Sequence, residues 1–281
     1  MADARRSPAR AGGGTGHTDA PCPPALPPLV IHLRRQAAAG PRRYVAGSAG
    51  HPDRMPPGLA AALLHEYTQP GNLVLDPLAG TGTTLAEAAR AGRNAIGVEY
   101  ETGWVALARA NLALARQQGA GGHARILCRD ATRLPSGIPH CLRGTTSLVL
   151  TAPPAARTMP GHPSGCGTTP SGRTTSRGRG GRAGRVAVFS GLTSVLAGCR
   201  ALLAPAGQVI VVARARPSGG AHAGSLGQVL QAGLSAGLHL TAVRHAVQAS
   251  HLGETCGYSQ SCRCPATGVV RYAVAVFSQA C

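Results

Sequence analysis

Residues 73 to 84, Leu-Val-Leu-Asp-Pro-Leu-Ala-Gly-Thr-Gly-Thr-Thr, join an apolar run to an acid and then to two glycines. Leu73, Val74 and Leu75 have the continuous apolar character of a parallel strand buried on both faces. Pro77 stops that strand, which leaves Asp76 at its carboxyl end. Gly80 and Gly82 lack Cβ atoms, so the backbone there can turn tightly and approach a ligand closely. Thr83 or Thr84 is expected to cap the helix that continues through Leu85, Ala88 and Ala89 to Gly92. Ligands of open α/β sheets bind at the carboxyl edge of the strands, so the stretch reads as a cradle for a nucleotide-like cofactor. The alternative is an Asp76 that only caps a turn.

The following unit narrows the ligand. Asn94 to Glu99 reads as a second strand ending in a carboxylate about 20 residues after the glycine turn, the position from which an acid binds a ribose diol. A helix follows with Trp104, Leu107, Ala108, Asn111, Leu112 and Ala115 at helical spacing. A third strand, Ala124 to Cys128, then leads to Asp130, which could accept from an adenine amino group or pair with Arg129 and Arg133. The turn lacks the third glycine of G-x-G-x-x-G, and no Gly-Lys-Ser/Thr phosphate loop occurs, which argues against a pyrophosphate ligand.

Asp76-Pro77-Leu78-Ala79-Gly80-Thr81-Gly82-Thr83-Thr84 resembles the Asp-Pro-Phe-x-Gly-x-Gly-Thr-Thr motif of the amino-group DNA methyltransferases, which methylate cytosine N4 or adenine N6 with S-adenosylmethionine. Backward, His51-Pro52-Asp53-Arg54-Met55-Pro56 is similar to that family's His-Pro-x-x-Lys-Pro element, which packs against the methionine end of the cofactor. Forward, Ser147 to Ala155 falls where the family has a Ser/Asp/Asn-Pro-Pro-aromatic motif after a fourth strand. The resemblance covers roughly residues 45 to 155. More narrowly, the chain resembles an actinobacterial-type group related to tRNA guanine-amine methylases. The resemblance implies cofactor contacts at His51, Pro52, Asp76, Pro77, Ala79, Gly80, Thr81, Gly82, Thr83, Thr84, Glu99, Tyr100, Asp130 and Ala131, and a catalytic segment of Thr151, Ala152, Pro153 and Pro154. It implies a Rossmann-like, seven-stranded α/β methyltransferase sheet with flanking helices, acting on an exocyclic amine of a nucleic-acid base, DNA before tRNA.

The fourth-strand motif departs from the family. Ala152 stands where a polar residue accepts from the target amine, and Ala155 where an aromatic stacks on the base. A methyl group accepts no hydrogen bond, and stacking on an aromatic is worth about 1 to 3 kcal/mol per base. Thr151 is the nearest polar side chain, and strand alternation aims it away from Ala152. A catalytically inactive cofactor- or nucleic-acid-binding relic is therefore the competing reading.

The 281 residues carry a net charge of +18, from 28 basic residues that are all arginine against 10 acids. Such a balance suits a polyanionic partner, although arginine without lysine also follows from a GC-rich coding sequence. Arg157, Arg173, Arg177, Arg179, Arg182 and Arg185 lie among Gly, Ser and Thr in an Arg/Gly-rich stretch, 155–186, that reads as a loop inserted behind the Pro-Pro motif. The first five are candidate phosphate contacts. Without aromatics, the loop is a poor base reader on its own.

Nine scattered cysteines do not form a disulfide framework, and no apolar run is long enough for a signal sequence or membrane span, so a cytoplasmic location is expected. Cys256, Cys262 and Cys264, with His251 or His245, fit no common zinc spacing, and no metal is expected. Gly233-Leu234-Ser235-Ala236-Gly237 matches a nucleophile elbow formally but closes a helix before a strand, the wrong context.

Residues 1–28 are expected to be disordered, and 29–281 to form one domain. Residues 29–45 add a short extended segment. Further expectations are a helix from Pro57 to Tyr67, a helix from Ala187 to Leu203, a tight turn at Pro205-Ala206-Gly207 and a fifth strand from Gln208 to Ala213. A helix from Leu226 to Gly237 and an antiparallel pair, Leu238 to Val247 and Gly268 to Ser278, complete the sheet.

Overall fold

Apolar residues on successive positions of each central strand bury both of its faces, and two helical layers cover them. A computed structural model describes residues 30–33, 42–51, 53–153, 182–215, 222–248 and 270–279. Its strands are β1 (Val30–Leu33), β2 (Leu73–Asp76), β3 (Asn94–Glu99), β4 (Ala124–Cys128), β5 (Thr146–Thr151), β6 (Leu203–Ala215), β7 (Leu238–Gln248) and β8 (Val270–Gln279). The helices are α1 (Pro57–Tyr67), α2 (Thr83–Arg90), α3 (Thr102–Gln117), α4 (Arg182–Arg200) and α5 (His222–Ser235).

The strands form one sheet in the order β1-β7-β8-β6-β5-β2-β3-β4. β2 lies parallel to both β3 and β5, and β8 is antiparallel to both β6 and β7. The chain winds outward from β2 through β3 to β4, then returns to β5 and winds the other way. The crevice between the ends of β2 and β5 is therefore the topological switch point, where such sheets bind ligands.

Val74, Leu148, Leu150, Ile210 and Val212 face the core under α1, α2 and α3, whereas Leu75, Val149, Val209 and Val211 face the core shared with α4 and α5. That alternation explains why the strands read as unbroken apolar runs. α1 presents Leu59, Ala60, Leu63 and Leu64, all fully buried, and starts at a proline whose missing N–H costs nothing at a helix start.

Several boundaries differ from the sequence expectations. An eighth strand, β1, pairs parallel with β7 and extends the expected seven, drawing on the segment read as extended. α4 begins at Arg182 and ends at Arg200, so the last residues assigned to the arginine loop are helical. Pro205-Ala206-Gly207 lies inside β6, where Thr146 pairs with Leu203 and Leu148 with Gln208. Six β6 residues thus span three of β5, so the expected turn is accommodated as a bulge. Between β4 and β5 stand only short 3₁₀ turns, Ala131–Arg133 and His140–Leu142. The disorder expected for residues 1–28 lies outside the described residues.

Candidate cofactor cleft

The glycine turn forms as its sequence requires. Gly80 and Gly82 have φ of +49° and +75°, a region that L-residues with a Cβ enter only at a cost. A Cβ on Gly82 would stand 3.0 Å from that of Ala108 on α3, and one on Gly80 would stand 2.9 Å from His51 Nε2. The loop is held by Gly82 N–H donating to the Ala79 carbonyl at 2.8 Å and Ala79 N–H to the Val98 carbonyl at 3.0 Å. Gly82 itself is the N-cap of α2, and no side chain caps that end, which corrects the expectation that Thr83 or Thr84 does so. Both hydroxyls have other tasks. Thr83 Oγ1 accepts from Arg54 Nε at 3.0 Å, and Thr84 contacts Met55 Sδ at 3.9 Å and supports Asp76.

Asp76 ends β2 at 3% exposure. Burial pushes its pKa up to about 6, against the pull of the Thr84 and Thr151 hydroxyls and of the Leu78 N–H at 3.1 Å. Thr151, fully buried at the end of β5, stands near enough to favour the ionised carboxylate, yet its hydroxyl makes no hydrogen bond of good geometry. His51 Nδ1 and Arg54 Nη2 are likewise buried without partners. Burial, with Arg54 nearby, holds the His51 pKa below its ordinary value despite Asp53, so its imidazole is neutral at pH 7. The ring packs edge-on to Trp104 at 4.8 Å between centroids.

A small cleft opens between these groups, bringing His51 and Arg54 together with Asp76, Gly80, Thr84 and Ala152. Ala79, Thr81 and Thr83 also line it, whereas Pro77 is buried behind the loop. Ala152 offers only its methyl group and backbone, and Pro153 follows it half-buried. Glu99, Tyr100, Asp130 and Ala131 do not line the cleft and lie at the adjoining ends of β3 and β4. The Glu99 carboxylate accepts from Gly80, Tyr100 and Glu101 N–H groups, each at 2.9 Å. Burial raises its pKa, while those backbone donors pull it down. A carboxylate has about four acceptor positions, so one remains for a ligand hydroxyl. Asp130 is exposed and accepts from Thr132 N–H at 2.9 Å and Thr132 Oγ1 at 2.7 Å, capping the turn that buries Ala131. Tyr100 is 42% exposed beside them.

Three polar anchors of this site escaped the sequence reading. Asn111, fully buried on α3, donates to the Thr81 carbonyl at 2.8 Å and accepts from Val45 N–H at 2.9 Å, tying the glycine turn to the segment that precedes His51. Its signal was a polar residue inside an apolar helical stripe. Glu87, at 3% exposure, binds Arg43, Arg90 and the Tyr44 hydroxyl. Arg54 then stacks over Tyr44, 4.0 Å from the ring centroid. Gly97 on β3 admits α2 closely, since a Cβ there would stand 2.5 Å from Leu85 Cδ1.

Pro52, Pro154, Arg157, Arg173, Arg177 and Arg179 lie outside the described residues, as do the Arg182 side chain, Cys256, Cys262, Cys264 and His251. Among the described residues no group of His, Cys, Asp or Glu could hold a metal, and no helix is long and apolar enough to cross a membrane.

Residues 34–110, which contain the glycine turn, Glu99 and most of α3, match the family model described as DNA methylase (N6_N4_Mtase). Two proteins of Escherichia coli (strain K12) are similar over stretches of 80 and 84 residues. YubD, which carries the name of a methylase, is 36% identical over 80 residues, 27% of this chain and 34% of its own. The DNA adenine methyltransferase YhdJ is 32% identical over 84 residues, 30% of this chain and 29% of its own. The chain thus spans about a third of the length of these relatives. Among solved structures, TrmN from Thermus thermophilus superposes with a TM-score of 0.51 at 23% identity, over 83% of this chain and 51% of its own. The sheet order, the cradle at the switch point and these matches agree: residues 34–110 of this chain are similar to the DNA methylases, and the chain has a Rossmann-like fold that it shares with TrmN.

Proposed function

We propose that the chain is an S-adenosylmethionine-dependent methyltransferase acting on an exocyclic amine of a nucleic-acid base, with DNA as the substrate. The observation that carries the reading is the cleft at the β2/β5 switch point, where the glycine turn, a buried acid and unpartnered donors converge inside the segment that matches the DNA methylases. The residues present fit such a cofactor. Gly80 and Gly82 keep side chains out of the turn, Asp76 offers a carboxylate to an ammonium group, and Glu99 has an acceptor position left for a ribose hydroxyl.

When bound, S-adenosylmethionine supplies an electrophilic methyl group on a sulfonium. The chain's own task is positioning and water exclusion. Asp76 orients one end of the ligand from a site that water barely reaches. The carbonyls around Ala152 and Pro153, at the end of β5, accept from the target amine and aim its lone pair into the cleft. A base in duplex DNA has to leave its stack to reach them. Arg157, Arg173, Arg177, Arg179 and Arg182 are the candidate phosphate contacts.

Ala152 supports a second reading. Its methyl lines the cleft where the resemblance implies a polar acceptor, which suits a non-catalytic relic that binds cofactor or nucleic acid.

Calorimetric titration with S-adenosylmethionine, beside an Asp76→Ala control, tests the cofactor half. Tritium-methyl transfer to DNA and to tRNA tests the rest. Saturable binding lost in the control and label in DNA are expected. No binding at millimolar cofactor overturns the reading, label in tRNA alone overturns the choice of DNA, and binding without transfer to either favours the relic.

A further inference from the structure

A parallel sheet is normally covered on both faces by its crossover helices. α2 and α3 cover one face of β3 and β4, but the β4-to-β5 crossover makes only the 3₁₀ turns Ala131–Arg133 and His140–Leu142, so the other face is thinly roofed. Leu134 and Ile138 bury part of it. At the amino ends of β2, β3, β4 and β5, the edge opposite the cofactor cleft, a groove of about 540 Å³ stays open. Strand alternation sets Leu73, Ile96, Arg125 and Ser147 on its floor, because Leu75, Val98, Leu127 and Val149, each two positions on, face that same layer. Ile96 and Arg125 are partners in register, and Leu142 stands over them at the rim.

The lining residues have a consistent chemistry. The groove is within the roughly 300 to 1,000 Å³ of small-molecule sites, which are apolar with a few polar groups. Leu73 and Leu142 are only half-buried and, with Ile96, offer apolar surface. Arg125 is exposed, and among the described residues its guanidinium has no hydrogen bond or ion pair. None of the groups lining the groove is an acid. The Ser147 hydroxyl is likewise unengaged, and Asn72 spends only its Oδ1, on the Gln69 N–H at 2.9 Å, which leaves its amide N–H groups for a ligand. A guanidinium beside apolar surface suits a flat ring that carries an anion, since the ring covers the leucines while the planar fork takes two oxygens. We propose that this groove is a second ligand site, for a small aromatic molecule bearing one anionic group, a carboxylate or a phosphate. Leu73 on its floor and Asp76 in the cofactor cleft stand at opposite ends of β2, so the site is separate from the methyl-transfer reading.

Amide NMR of the full chain, titrated with naphthoate, thymidine monophosphate and the uncharged naphthylmethanol, tests the site on wild type, Arg125→Gln and Leu142→Glu. An anionic probe is expected to give saturable shifts at residues 71–73, 94–96, 123–125 and 142–147 while the cofactor cleft stays unmoved. One charge-assisted contact at an exposed arginine predicts that Arg125→Gln weakens that probe by about 5- to 10-fold. Leu142→Glu, which sets a like charge at the rim, should weaken it at least as much, and both variants change side chains outside the fully buried core. The alcohol should bind wild type no better than naphthoate binds Arg125→Gln. The tighter of the two anions tells whether the site takes a carboxylate or a phosphate. No saturation at millimolar probe, shifts confined to the cofactor cleft, equal affinity for the alcohol, or full affinity in Arg125→Gln each overturn the inference and leave the cofactor reading standing.

Discussion

Replacing Asp76 by Asn should make the unliganded protein more stable while abolishing its ligand binding. Asp76 is 3% exposed, and burial raises its pKa from 3.8 to about 6. The gap of roughly two pH units corresponds to about 3 kcal/mol. The sign follows from proton binding. Between pH 3.8 and about 6 the folded chain holds a proton that the unfolded chain has released, so stability falls as pH rises through that window and stays lower above it. Asparagine carries no charge to desolvate, and its Oδ1 can still accept from Leu78 N–H as Asp76 does at 3.1 Å. Urea unfolding of wild type and Asp76→Asn from pH 5 to pH 8 should therefore show an advantage for the variant that grows with pH to about 3 kcal/mol above pH 7. Saturating S-adenosylmethionine should reverse the order, because it stabilises only the protein that binds it. A variant that is no more stable than wild type at pH 8, with the same pH slope, would refute the claim that desolvation dominates at Asp76.

Two other substitutions probe the scaffold. Glu87→Ala leaves Arg43, Arg90 and the Tyr44 hydroxyl without their shared acceptor; loss of one member of a buried ion pair costs about 3 to 5 kcal/mol, and the partly exposed arginines place this one near 3, read as a lower urea midpoint. Asn111→Leu removes the partners of the Thr81 carbonyl and Val45 N–H, at about 1 to 3 kcal/mol each, and hydrogen exchange should report faster opening of residues 45–48 and of the glycine turn, with weaker cofactor binding. Exchange rates unchanged in that variant would mean the turn is held by its own backbone bonds.

The strands were legible because their chemistry is local. Asn94–Glu99 and Ala124–Cys128 have the bounds their apolar runs suggested, and the glycine turn declares itself through residue type alone. Caps and turns were harder. Thr83 and Thr84 have the chemistry of caps, but a left-handed Gly82 turns the chain before them and their hydroxyls face Arg54 and Asp76 instead. Pro205 to Gly207 has turn composition, yet pairing with β5 on one side carries it within a strand as a bulge. Propensity specifies what a segment tolerates, and the neighbour decides which tolerated form is adopted.

By itself, the sequence determined an acid at the end of a buried strand, the glycine turn after it, a second acid a fixed distance on, and the missing polar and aromatic groups at positions 152 and 155. These depend on residue type and short spacing. Tertiary structure alone decided that Asp76 and Ala152, 76 positions apart, line one cleft, that Asn111 holds Thr81, and that Glu87 fixes Tyr44 beneath Arg54. Those relations arise where β2 and β5 lie side by side and where α2 and α3 hold the irregular segment before His51, and no periodicity along the chain encodes which side chains meet across such distances.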